Sequence, residues 1–471
     1  MNYELLDSIV DSKKDAIIET MKKWLKVPSV LAPKSADNAP FGEETRKMLD
    51  IALEDAKSMG FDVKDFDGYA MHAQMGKGKE TMGILCHLDV VPAGDGWTHD
   101  PWGAEIENGR IYGRGVVDDK GAAILALYAM QAVKEAGIEM KDAVRLILGC
   151  DEETGMEDMR YYRAHETDLP SYGFSPDAEF PVINIEKGGL SLLLGKNTGG
   201  EENADIPVYE LYAGERQNVV PGEAWAKIGV KDRGAFEKAV EDIKAETGFE
   251  LKYVYEENDI CRLIAYGQQA HASMPDMGKN AAGMLLIALS KLNAGGGSKE
   301  AIRMIAEKIG VEGHGESLGI AISDEESGAL TCNLGIMRYD QKYFYVRLDI
   351  RYPLNANETL MCGQAAEAVA GAGMHLQKIG SHGPHYVSKD HKLVKGLLKA
   401  YSDATGKEGY TFAIGGGTYS RCMPNTVAFG LNFPGDPDPC HMADESLEID
   451  KMMLSARIMA RAIAELAGKH E

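Results

Sequence analysis

Clusters of acids and histidine sit at the ends of apolar runs in the first part of the chain, and this arrangement constrains the fold more than any other feature. Gly83-Ile-Leu-Cys-His-Leu-Asp-Val-Val91 reads as a buried strand closed by Pro92-Ala-Gly, and it carries His87 and Asp89. Gly113-Arg-Gly-Val-Val-Asp-Asp-Lys-Gly121 leads into an Ala/Leu-rich stretch, 121–136, that predicts a helix stopped at Gly137. Ala143-Val-Arg-Leu-Ile-Leu-Gly-Cys150 is the next strand and runs straight into Asp151-Glu152-Glu153. The fourth cluster, Ser175-Pro-Asp177-Ala-Glu179, is an acidic turn. Strand, helix and strand in this order predict a parallel α/β sheet, whose functional residues gather at the carboxyl ends of its strands. An isolated carboxylate buried there is very costly, so these acids must be paired or must hold a cation.

After Glu186-Lys-Gly-Gly189 the pattern changes. Alternating segments such as Tyr343–Ile350 mix with helical stretches at 234–246 and 281–292 and a break at Gly295-Gly-Gly297. This predicts an inserted α+β domain over 188–383, divisible into two halves, within a catalytic domain of 1–187 and 384–471. Leu5 to Leu25 reads as one amphipathic surface helix, and a charged amphipathic helix is expected from Asp450 to Ala467.

Fifty Lys and Arg stand against 73 Asp and Glu, a net charge of −23 that disfavours nucleic-acid and anionic-membrane partners. No run approaches the roughly 18 apolar residues of a membrane span, and the start has no signal-peptide pattern. Seven scattered cysteines without a Cys-x-x-Cys pair argue against a disulfide framework or a Cys₄ zinc site, so a reducing cytoplasm is expected.

Read singly, each cluster is an ordinary solvated loop. Their coincidence on one sheet matters more. In a strand, His87 and Asp89 share a face, so Asp89 can take the proton of one ring nitrogen while the other nitrogen faces a metal. With Pro439-Cys-His441-Met-Ala-Asp-Glu445 downstream, the chain has the nitrogen and oxygen ligands that suit zinc or manganese. Cys86 should point away from such a site and pack in the core. Gly315-Glu-Ser-Leu-Gly319 fits a nucleophile elbow but lacks the strand before it, and no His-Glu-x-x-His zincin motif is present.

In these motifs the chain resembles the aminoacylase/carboxypeptidase-like di-metal peptidase family, and within it the PepV-type dipeptidase branch. The matching stretches are His87–Trp97, Asp100-Pro-Trp102, Gly113–Gly121, Asp151–Thr154, Ser175–Glu179 and Cys440–Glu445. The resemblance implies a mixed-sheet α/β catalytic domain with an inserted lid, and two divalent ions, Zn or Mn. It implies that His87 and Asp177 hold one ion and Glu153 and His441 the other. Asp118 would bridge them, in preference to Asp119, with a cis peptide after it. Glu152 takes the general-base position and Asp89 stands behind His87.

His271, in Gln268-Gln-Ala-His-Ala-Ser-Met-Pro275, matches the family's substrate-covering histidine and would stabilise the oxyanion. Asn218 matches a substrate-contacting position. Arg351, at a strand end, could grip a substrate carboxylate, and Gly415 and Gly416 could bring backbone N–H groups to the same carboxylate. The implied activity is hydrolysis of dipeptides with a free amino end by a monomer, a dimer being the alternative. An N-acyl-amino-acid deacylase or desuccinylase is the rival within the family, and a non-catalytic binding protein on the same fold the rival outside it.

Overall fold

The computed structural model describes residues 3–200 and 204–470. The chain divides into two compact units: Met1–Ile185 with His385–Phe412 and Gly417–Glu471, and Glu186–Pro384 with Ala413–Gly416.

The first unit is built on a nine-stranded mixed sheet. Eight of its strands follow one another in the order Asp62–Phe66, Ala70–Met75, Ala143–Gly149, Thr81–His87, Tyr172–Ser175, Thr426–Ala428, Val182–Glu186 and His385–Tyr386. The central strands are parallel: Thr81–His87 runs with Ala143–Gly149 on one side and Tyr172–Ser175 on the other. Both Thr81–His87 and Ala143–Gly149 are buried throughout, as continuous apolar runs should be in a covered parallel sheet. Helix Lys120–Glu135 connects two of these strands. Its alanines and other residues unbranched at Cβ (Ala122, Ala123, Leu125, Ala126, Ala129) suit a helix, and almost its whole length is buried. Helix Ile449–Ala467 joins the same core through Met452, Ile458, Met459 and Ile463.

The amphipathic N-terminal stretch forms two helices, Tyr3–Ser12 and Lys14–Leu25, instead of the single one its periodicity suggests. Ser12 Oγ donates to Ile9 O at 2.7 Å and Lys13 N to Val10 O at 3.0 Å, so local bonds tighten the turn there and end the first helix. Leu6, Val10, Ile17, Met21 and Trp24 still face the core from both pieces.

The second unit carries an eight-stranded, fully antiparallel sheet in the order Glu250–Tyr255, Ile260–Tyr266, Glu223–Gly229, Val208–Ala213, Thr331–Tyr339, Tyr343–Tyr352, Gly188–Asn197 and His375–His382. Helices Arg233–Thr247, Ala281–Lys291, Lys299–Lys308 and Glu358–Ala370 contribute side chains to a core of its own, with Leu263, Leu285, Ile302, Phe344 and Leu348 at its centre. Among the described residues no helix is long and apolar enough to cross a membrane. All seven cysteines are free thiols, and Cys86 lies in the first unit's core.

Candidate metal centre

Strand register assembles the site. His87 pairs with Gly149 across parallel strands, so segment 150–153 leaves the sheet beside the imidazole. On the opposite side, strand Tyr172–Ser175 delivers Asp177 two residues past its end. Asp118 and Asp119 precede helix Lys120–Glu135, and the peptide between them is cis. The His87 amide donates to Asp119 Oδ2 at 3.1 Å, which fixes this turn against the strand.

Two groups of potential metal donors result, His87 with Asp118 and Asp177, and Asp118 with Glu153 and His441. Asp118 is common to both. Its Oδ1 lies 2.9 Å from His87 Nε2, and its Oδ2 lies 3.0 Å from His441 Nε2. Asp177 Oδ2 is 3.7 Å from His87 Nε2, and both Glu153 oxygens are 3.1 Å from His441 Nε2. Asp119 belongs to neither group.

The electrostatics fit a divalent pair. His87 Nε2 is fully buried and close to carboxylate oxygens, yet none meets it in hydrogen-bond geometry, so its lone pair is left for another partner. Burial raises the affinity of Asp177 for a proton well above the ordinary carboxylate range, and the charges of Asp118 and Asp119 add to it. Half-buried Glu152 moves the same way through desolvation, which the charge of His87 opposes and those of Glu153, Asp118 and Asp89 reinforce. His441 is pushed up to about 10 by its bonds to Asp118 and Glu153. An acid-rich cluster that holds protons this tightly lacks positive charge. Two imidazoles and three carboxylates are a donor set suited to zinc or manganese.

Asp89 differs in detail from expectation. His87 Nδ1 bonds to the backbone oxygen of Asp89 at 2.9 Å, while the carboxylate stands 3.4 Å away. That carboxylate instead accepts from the Glu152 and Glu153 amides at 3.2 and 3.1 Å. Residue 89 therefore orients the histidine with its main chain and the glutamate-bearing loop with its side chain.

The remaining candidates lie in the second unit. Val219 and His271 form a β-bridge, and Ala272 N donates to Asn218 O at 2.9 Å, so Asn218 and His271 sit on adjoining segments. His271 Nδ1 lies 2.7 Å from the Ser273 hydroxyl and 3.3 Å from the Ser273 amide. The Arg351 guanidinium is engaged by Asp349 at 2.6 and 3.0 Å and by Gly415 O at 3.1 Å. Gly415 meets it through a carbonyl, and Gly416 follows in the same segment.

Sequence reasoning missed the supports of the centre. Buried Asp158 accepts from the Cys150 and Asp151 amides at 2.5 and 2.8 Å and from the Tyr419 hydroxyl. Tyr419 also stands edge-on to His87, ring centroids 6.2 Å apart. A lone Asp inside a helix and a Tyr hundreds of residues away carry no local signal that would have revealed them.

Residues 83–465 match Peptidase family M20/M25/M40. The chain is 37% identical over 471 residues to the YtjP protein of Bacillus subtilis (strain 168), covering 99% of this chain and 100% of that one. It is 36% identical over 468 residues to the Beta-Ala-Xaa dipeptidase of Lactobacillus delbrueckii subsp. lactis, covering 98% of each. The fold resembles that of the aminoacylhistidine dipeptidase from Vibrio alginolyticus, with a TM-score of 0.57 at 14% identity over 97% of each chain.

Proposed function

The chain belongs to peptidase family M20/M25/M40, a metal-dependent family, and from that premise we propose that it hydrolyses dipeptides with a free amino end. The observation that carries this reading is the pair of donor groups sharing one carboxylate, with Glu152 next in sequence to Glu153 of the second group. His87, Asp118 and Asp177 would hold one divalent ion, and Asp118, Glu153 and His441 the other. When bound, the two ions would polarise the scissile carbonyl and make a water more acidic.

Everything else falls to the chain. Glu152, with its raised proton affinity, takes the proton of the attacking water and passes it to the departing amine nitrogen. Asp89 keeps Glu152 and Glu153 in place through their amides. His271 is the proposed donor to the carbonyl oxygen as negative charge develops there. Asn218, Arg351, Gly415 and Gly416 are the proposed contacts to the rest of the substrate. The 36% identity to a Beta-Ala-Xaa dipeptidase over nearly the full length supports the dipeptide reading. The proposed setting is cytoplasmic and the proposed form a monomer.

The test compares free dipeptides, their N-acetyl forms and tripeptides, with the metal-stripped protein supplied with Zn²⁺ or Mn²⁺. Hydrolysis confined to free dipeptides and dependent on added metal is expected. Preferred cleavage of the N-acetyl compounds would replace the reading with a deacylase, and full activity without metal would reject the centre.

A further inference from the structure

We infer that Glu445 is a positioning residue that locks Asp118 and His441 into one frame, so that both donor groups are formed before any ion arrives. The inference rests on the reading of Asp118 and His441 as metal ligands. Glu445 has no solvent-exposed surface. Its Oε2 accepts from Arg114 Nη1 at 2.8 Å and Gly115 N at 3.0 Å, and its Oε1 from Val117 N at 2.9 Å and Asp118 N at 3.2 Å. One carboxylate thus gathers a guanidinium and three backbone amides, the last belonging to the shared aspartate itself. Its own carbonyl accepts from Gly113 N at 3.0 Å, so segment 113–118 is bound to residue 445 by main chain and side chain together.

His441 lies four residues upstream in the same loop. His441 and Asp444 have φ of 64° and 56°, left-handed values uncommon outside glycine, which the hydrogen bonds of this loop hold in place. Asp444 supplies one hold, accepting from Thr98 N at 2.9 Å, His99 N at 3.0 Å and Thr98 Oγ1 at 2.7 Å. Glu445 supplies the other. A buried ion pair is a weak source of net stability, because removing two charges from water offsets their attraction. Three amide bonds converging beside Asp118 act chiefly on direction. They aim its two oxygens, one toward His87 and one toward His441.

The experiment is titration of Mn²⁺ or Zn²⁺ into the metal-free full-length protein by calorimetry, at a temperature well below the melting transition of each variant. Glu445→Gln keeps the shape but turns one oxygen into a donor facing N–H groups. Its metal affinity should fall about 10- to 100-fold, the usual range for groups that orient ligands. Wild-type affinity in the folded variant, with only a lower melting temperature, would overturn the inference by making Glu445 purely structural. Should Glu445→Gln fail to fold, Glu445→Asp, which withdraws the carboxylate by one methylene, is judged by the same criterion. Asp118→Asn separates the two levels: if it binds metal like wild type, the ligand reading itself fails, whatever Glu445 does.

Discussion

Glu152 belongs to neither donor group, although its neighbour Glu153 does. That separation makes its role testable apart from metal binding. Glu152→Gln should lower kcat by about 10²- to 10⁴-fold while metal stoichiometry stays at the wild-type value, measured by steady-state kinetics and metal analysis on one preparation. Another residue offers a test of stability. His72 is buried against Tyr162, 3.0 Å from its hydroxyl, and burial, aided by the charge of Arg145, lowers its pKa from 6.5 to about 4. Below pH 6.5 the unfolded chain takes up a proton that the folded chain refuses, so stability declines from there down to about pH 4. Between pH 7 and 4.5 wild type should lose about 2 kcal/mol more than His72→Gln, read from denaturant midpoints. The acids and the histidine at the ends of apolar runs stood out as anomalies in the sequence, while the grouping of His87, Asp118, Glu153, Asp177 and His441 followed from the family resemblance. Asp158, Tyr419 and Arg114 were not legible, since a carboxylate that gathers backbone amides, and the hydroxyl or guanidinium that donates to a buried carboxylate, need neighbours that only the fold provides.

At the scale of elements, apolar runs were the readable part. The strands ending at His87 and Gly149 and the helix after Asp119 follow from buried, uninterrupted hydrophobic sequence. Amphipathic periodicity was less reliable. It continues through Ser12 and Lys13, where local hydrogen bonds divide the N-terminal stretch. Nor does any pattern in strand Ala143–Gly149 announce why it ends in glycine. A Cβ at Gly149 would press on both the Tyr419 hydroxyl and the Asp158 carboxylate. Gly149→Ala should therefore cost about 1–3 kcal/mol of stability, as overpacking does. It should also reduce activity, because the displaced pair anchors the loop that carries Glu152 and Glu153.

For the molecule as a whole, the proposed metal centre would tie stability to bound metal. Adding Zn²⁺ or Mn²⁺ to stripped protein should raise the melting temperature, with about 2.7 kcal/mol per site at a hundredfold excess over Kd. A melting curve indifferent to both chelator and added metal would remove the centre from the account. The second unit, with its own sheet and core, should fold cooperatively when its main segment, Glu186–Pro384, is expressed alone, as judged by a single unfolding transition with native-like near-UV dichroism. Strand Thr426–Ala428 lies inside the first unit's sheet, between Tyr172–Ser175 and Val182–Glu186, though about 250 residues of chain separate it from them. A ribosome working from the N-terminus therefore leaves a slot in that sheet while the whole second unit is translated. Nascent chains arrested before residue 426 would lack the strand that pairs these two edges, so chaperone capture should concentrate in that interval of synthesis and end once the missing strand emerges.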